Sequence, residues 1–468
     1  MTARQPAGPP QPRPTGPVGR DPRARPHDTP EHPRAANRRQ GGAFLGGAGG
    51  RLLPASVPMR WFGLAVVAHL LAWGVLGASA AGWPAWHGGL RWPLAALHLA
   101  TLGTLLASAI GASLQLLPVA TRQAVRWPRA AGLLWWAYVP GLALLVAGMG
   151  LARPAWLAAG ALPVLAVLVA WGVLTALNLR GARGMPGVVL HGWAALAALG
   201  LLVASAAALV ALWNGQLPWS RDTLRALHGL AGPFGVMGML VLGLSAILLP
   251  MFALAAVPDD ARQLRSGNLA TLALALAIAA ALAPAGGLLL RGAALACGAA
   301  ALALHVQAMR RVLAQGMRGD LGRSGRLIRL SWAMAAATLL LGLGGVVDES
   351  RGGDGDPFGR LAATCAVAGW LGSLLFGILQ RILPFLASMH AALAKRRAPT
   401  PAALTAPLPL AVHEAGHLAA LALLVPAVGW RSPGWLLAAS VAGGVGAAGF
   451  GVFFATMLLR LHRAAPRT

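Results

Sequence analysis

The eight residues GASLQLLP at 111–118 decide the architecture, because GLSAILLP stands at 243–250 and GILQRILP at 377–384. Each copy places a glycine seven residues ahead of a Leu-Pro, and the copies lie 132 and then 134 residues apart. All three sit in long apolar runs. The chain of 468 residues is 57% hydrophobic and 11% charged. That composition belongs to a multi-pass membrane protein and not to a water-soluble enzyme of this length.

A helix needs about 20 mostly apolar residues to cross the hydrocarbon core of a bilayer. Twelve runs qualify, at roughly 60–82, 92–117, 130–151, 154–178, 186–213, 224–256, 267–285, 288–312, 325–346, 360–390, 405–428 and 433–460. The signatures close the second, sixth and tenth, so one period equals four helices. The sequence therefore predicts an all-α, twelve-helix fold of three consecutive four-helix units in a pseudo-threefold arrangement, with equivalent helices in equivalent places. Glycine permits close helix approach. Proline is tolerated near a helix end, where neighbours satisfy the freed carbonyl.

The formal charge of +26 is almost entirely arginine, Lys395 being the single lysine. These arginines lie between apolar runs and not on one face, which argues against nucleic acid as a partner and for the lipid bilayer. With the basic segment 1–55 in the cytoplasm, the gaps on that side carry sixteen basic residues, including Arg122, Arg180, Arg310, Arg311, Lys395 and Arg396, against eight in the opposite gaps. The acidic stretch DESRGGDGD at 348–356 also falls on the opposite side. By the positive-inside rule both termini face the cytoplasm. Residues 1–55, rich in Pro, Arg and Gly, are expected to be a disordered tail. Residues 56–462 form the transmembrane domain, and 463–468 a second cytoplasmic tail. Cys297 and Cys365 sit inside apolar runs and give no disulfide framework.

Ionisable side chains are costly inside a bilayer and are usually paired or functional there, so the histidines stand out. His98 lies 20 residues before Pro118, and His228 lies 22 before Pro250. Both fall near the outer ends of their helices. The corresponding part of the tenth run reads TCAVAG, with Thr364 at the His98 offset and Cys365 next to it. Imidazole suits haem iron, copper or zinc. The offset of two residues turns the His228 side chain by about 200° relative to His98, which weakens its case as a shared ligand. His191, His305 and His390 fall toward cytoplasmic helix ends and are expected to reach headgroups. Tryptophans such as Trp61, Trp127, Trp219 and Trp430 are expected to be interface anchors. Gln115 and Gln380, at nearly equal offsets in two signatures, are placed to bond between helices.

Twelve helices, cytoplasmic termini, a four-helix repeat and outer-side histidines on the second and sixth helices resemble subunit I of the haem-copper oxidases. The stretches HLATLGTLLASAIGASLQLLP and GILQRILPFLASMH also resemble uncharacterised bacterial membrane proteins related to those oxidases. The resemblance spans roughly residues 60–460. It implies a bacterial inner-membrane location, His98 as a haem ligand, His228 as a copper ligand, and electron-transfer or other membrane subunits as partners. It implies haem or metal binding tied to respiration or to nitric-oxide and oxygen handling. The family's histidine pair on helix 7 is missing from LATLALALAIAAALAP, and its helix 10 histidines are replaced by Thr364 and Cys365. The resemblance therefore does not carry full oxidase activity with it.

A second motif points elsewhere. HEAGH at 413–417 matches H-E-x-x-H, in which two histidines one turn apart grip zinc and the glutamate activates water. Within a spanning helix it is similar to the site of the intramembrane zinc proteases, with Glu414 as general base. Those enzymes take a third ligand from an Asp-Gly on another helix. The only DG of comparable context here, at 354–355, lies in an outer loop. His69 substitutes only if packing brings it close. His413 and His417 share a helix face and stand as metal candidates on their own account. A metal-free transporter or assembly factor on the same scaffold is the third reading.

Overall fold

The computed structural model describes residues 51–216, 220–283, 286–393 and 398–464. Most of both tails, together with Lys395, Arg396, Arg397 and Trp219, lies outside the described residues. Within them the chain forms twelve helices long and apolar enough to cross a membrane. They are α1 Ser56–Ala78, α2 Trp92–Ala120, α3 Pro128–Gly150, α4 Pro154–Arg180, α5 Pro186–Trp213, α6 Arg221–Ala253, α7 Asp260–Leu282, α8 Gly287–Gln315, α9 Gly322–Ser350, α10 Asp356–Leu393, α11 Pro407–Gly429 and α12 Pro433–Arg463. Among the described residues there is no strand. The protein is a multi-pass membrane protein.

Proline starts five of these helices. It suits the first helical position, where the amide would find no partner in any case. Several helices run past their apolar cores. Arg323, Arg326 and Arg329 occupy the first turns of α9, and Asp348 and Glu349 its last turn. Arg291 on α8 reaches Glu349 to form an ion pair. Long side chains at helix ends can turn outward, so charge there does not end a span.

The period seen in the sequence reappears in the packing. Helix α1 packs on α2, α5 on α6, and α9 on α10. Helices α3 and α4, α7 and α8, and α11 and α12 form antiparallel hairpins; α4 meets α5, α8 meets α9, and α12 closes the circuit against α1. The signature glycines make the inner contacts. A Cβ at Gly111 would lie 2.8 Å from Trp61 Cβ, at Gly243 2.9 Å from His191 Cβ, and at Gly377 3.3 Å from Leu327 Cβ. Each of α2, α6 and α10 also contains an eight-residue π-helical stretch, at Leu99–Leu106, Ala231–Gly238 and Cys365–Gly372. All three begin twelve residues before the signature glycine. One feature in the same register on three helices marks them as structural equivalents.

The core lies on these inner helices. In α6, 83% of the apolar window is buried inside the protein, against 11% in α8. The signature prolines lie toward one end of the bundle, called here the near face, where α1 begins. His98 and His228 lie toward the far face. The π turns leave carbonyls without their usual α-helical partners. Tyr138 on α3 donates its hydroxyl to the carbonyl of Leu102 at 3.1 Å and meets Trp61 edge-on at 5.2 Å. Trp61 is therefore a core residue, fully buried, and not the expected interface anchor. Trp127 and Trp430 are 58% and 74% exposed, as anchors require.

Candidate functional site: two groups of imidazoles

The histidines fall into two groups on different helices. In the first, His98 of α2 and His228 of α6 lie with ring centroids 6.2 Å apart and planes inclined by 25°. His98 Nδ1 makes a 2.9 Å hydrogen bond with the carbonyl of Leu94 one turn earlier. A carbonyl only accepts, so Nδ1 carries the proton and Nε2 keeps its lone pair. Nδ1 of His228 is buried and finds no partner among the described residues. The two-residue offset does not separate the rings. Equivalent positions on helices related by rotation point the same way around the axis. The rings meet although His228 stands two residues off the position equivalent to His98.

The third inner helix adds no imidazole here. Thr364 turns its hydroxyl back to the carbonyl of Arg360 at 2.9 Å. Cys365, a free thiol, opens the π stretch of α10.

The second group gathers His69 of α1 with His413 and His417 of α11. The centroids of His69 and His413 are 6.2 Å apart, and those of His413 and His417 are 5.8 Å apart. Phe376 of α10 lies against the first two rings, 4.4 Å from His69 and 4.6 Å from His413. All three histidines are buried. Close packing of α11 on α12 makes this place: a Cβ at Gly416 would lie 2.6 Å from the Gly446 Cα, and one at Gly449 2.9 Å from the His413 amide nitrogen. His413 Nδ1 then donates to the Gly446 carbonyl at 3.0 Å, while its Nε2 is buried without a partner among the described residues. His417 Nε2 meets the Ser373 hydroxyl of α10 at 2.8 Å.

Glu414 leaves that face. One residue along a helix is a turn of about 100°, and its carboxylate faces α9. Arg326 grips it in bidentate fashion, Nε to Oε1 at 2.7 Å and Nη2 to Oε2 at 2.6 Å, with Arg323 Nε 3.4 Å away. A general base must be free to accept a proton, and this one is bound by two guanidinium groups. His228 does not join His413 and His417. Among the described residues, no group of three or more His, Cys, Asp or Glu side chains is already arranged to hold a metal ion.

The remaining histidines correct the expectation of headgroup contact. His191 and His305 are only 4% and 7% exposed. With Gln263, Ser266 and Arg262 they line a cavity of about 10 Å³ between α5, α7 and α8, room for a single water. His390 of α10 bonds to Gln115 of α2 at 3.1 Å, so Gln115 does bridge two inner helices. Sequence reasoning passed over Phe376, Ser373 and the Arg326 contact. The signal available for the first was its place immediately before the signature glycine at 377. No family model matches the chain, and no curated protein is detectably similar to it.

Proposed function

We propose that the chain is a haem- or metal-binding protein of a bacterial inner membrane, built on a scaffold like that of haem-copper oxidase subunit I. Its near face is cytoplasmic, and its role is tied to respiration or to nitric-oxide and oxygen handling. The observation that carries this reading is the convergence of His98 and His228. Both residues are half-buried, one with its tautomer fixed by Leu94 and the other with a buried nitrogen that has no partner among the described residues. The ring centroids lie 6.2 Å apart, so His98 and His228 would hold one centre between them. The donor pair thus fits an iron or copper centre that takes two imidazoles. Such a centre supplies one-electron and diatomic-gas chemistry when bound.

The chain's own part is to hold and orient. Leu94 presents the His98 Nε2 lone pair by fixing the opposite nitrogen, the second-partner device common among metal-bound histidines. The π stretches that begin directly after His98 and three residues after His228 re-aim the following turns, and such segments frequently sit at functional sites. In the oxidase family the partner of the helix 2 histidine comes from helix 10; here α6 offers the second imidazole and α10 none. An optical spectrum of the full-length protein purified from a haem-sufficient host tests the proposal. The reading expects a Soret band, or bound copper, that His98→Ala abolishes and His228→Ala weakens or shifts. A wild-type protein with neither haem nor copper would sink it.

A further inference from the structure

Beyond that reading, the second imidazole group is a site in its own right. We propose that His69, His413 and His417 bind one monovalent transition-metal ion, Cu(I), within the membrane.

The three rings are gathered in one place but not yet arranged around one ion. Three imidazoles around a single ion at about 2.0–2.1 Å per nitrogen have centroids roughly 5 to 5.5 Å apart. The His413–His417 and His69–His413 centroids lie 5.8 and 6.2 Å apart, up to about 1 Å beyond that spacing. Rotation about χ2, which is broad for histidine, aims the nitrogens, and a change of χ1 or a small approach of α1 to α11 closes the remaining distance. The tautomer of the central ligand is already set. His413 Nδ1–H donates to the Gly446 carbonyl at 3.0 Å, so Nε2 keeps its lone pair, and that atom is buried without a partner among the described residues. A buried acceptor left unsatisfied is costly, and an ion at that place removes the cost. His417 Nε2 exchanges its hydrogen bond with Ser373 for the ion, or coordinates through Nδ1.

Charge selects the ion. Imidazole suits copper and zinc alike. The three rings are neutral when they coordinate, and the neighbouring carboxylate, Glu414, is already paired with Arg326 and Arg323. Among the described residues an ion here meets no metal-binding carboxylate, and the cost of placing charge in a medium of low dielectric rises steeply with its magnitude. A monovalent ion is therefore favoured over a divalent one. The group shares no residue with the His98–His228 pair, so either can fail without the other.

The test uses the full chain in detergent, loaded anaerobically with Cu(I) or with Zn²⁺, and reads bound metal per chain and affinity by competition with a chelator of known strength. The expected result is one tight Cu(I) that survives the His98→Ala/His228→Ala double substitution. Its affinity should fall at least about tenfold in His69→Ala and again in His413→Ala. Ser373→Ala, which frees His417 Nε2, should leave Cu(I) affinity equal or higher. Helix content and monodispersity of each variant separate a lost ligand from a lost fold. Equal Cu(I) affinity in the wild type, His69→Ala and His413→Ala, or loss on Ser373→Ala in a folded protein, overturns the site. Tighter binding of Zn²⁺ than of Cu(I) overturns the choice of ion.

Discussion

Gly416 stands between the two histidines of HEAGH, and replacing it with alanine tests how the second imidazole group is held. A Cβ there would lie 2.6 Å from both the Cα and the amide nitrogen of Gly446, and 2.7 Å from the Ala442 carbonyl oxygen. All three are backbone atoms, so no side chain can swing aside and α12 must move bodily. Alanine gains about 1 kcal/mol over glycine in a helix. Overpacking of this kind costs about 1–3 kcal/mol, and sometimes more. Separation of the helices also stretches the His413–Gly446 hydrogen bond, worth about 1 kcal/mol. The balance is a loss of about 1–3 kcal/mol. Gly74→Ala is the control, because a Cβ at Gly74 meets nothing within 4 Å and only the propensity gain remains. The assay is apparent melting temperature in one detergent, followed by helix signal at a fixed heating rate. Gly416→Ala should melt a few degrees below the wild type, and Gly74→Ala at or above it. If both variants melt alike, the backbone contact of α11 with α12 does not hold this site together.

Two further substitutions probe the polar contacts. Arg326→Ala removes the bidentate partner of Glu414 and leaves that largely buried carboxylate with Arg323 alone, so melting should fall by the equivalent of about 1–3 kcal/mol. Arg326→Ala combined with Glu414→Gln should recover part of it, and no recovery would mean that the ion pair is not the cause. Arg431 anchors the α1–α2 connection: its guanidinium donates to the Pro84 carbonyl at 2.8 Å and the Trp86 carbonyl at 2.6 Å. Arg431→Ala should make residues 79–91 the earliest site of limited proteolysis, and an unchanged cleavage order refutes that role.

The twelve spans and their fourfold grouping were legible because both are periodic. A bilayer demands a fixed length of apolar chain, and a repeated helix contact demands a repeated small residue. The π stretches were not legible. They leave the apolar content of a helix unchanged and alter only which carbonyl each amide meets. A trace of them was nevertheless present: Gly103, Gly235 and Gly369 each lie eight residues before the signature glycine. A Cβ at Gly103 would approach Ala68, at Gly235 Ala198, and at Gly369 Met334. The signature was thus longer than eight residues. The meeting of His98 with His228 was misjudged for a related reason. An angle counted along one helix says nothing of where the neighbouring helix stands. His69 was the hardest case, since its partners lie more than 300 residues away and no local pattern joins them.

Packing and chemistry obey opposite rules in this chain. What the three units share is apolar and steric: the glycine pairs, which pack on α1, α5 and α9, the π stretches and the near-face prolines. What could carry chemistry breaks the repeat. The position against the signature glycine is Trp61 in the first unit, His191 in the second and Leu327 in the third. The far-face imidazoles occupy two inner helices of three. HEAGH occurs on α11 alone of the hairpin helices. A threefold scaffold with identical side chains would offer three copies of every off-axis contact, and a single place for one ion only on the axis itself. Where the repeat fails, the units differ enough for a ligand set to close around one centre. The departures from symmetry, more than the symmetry, therefore locate the sites to test first.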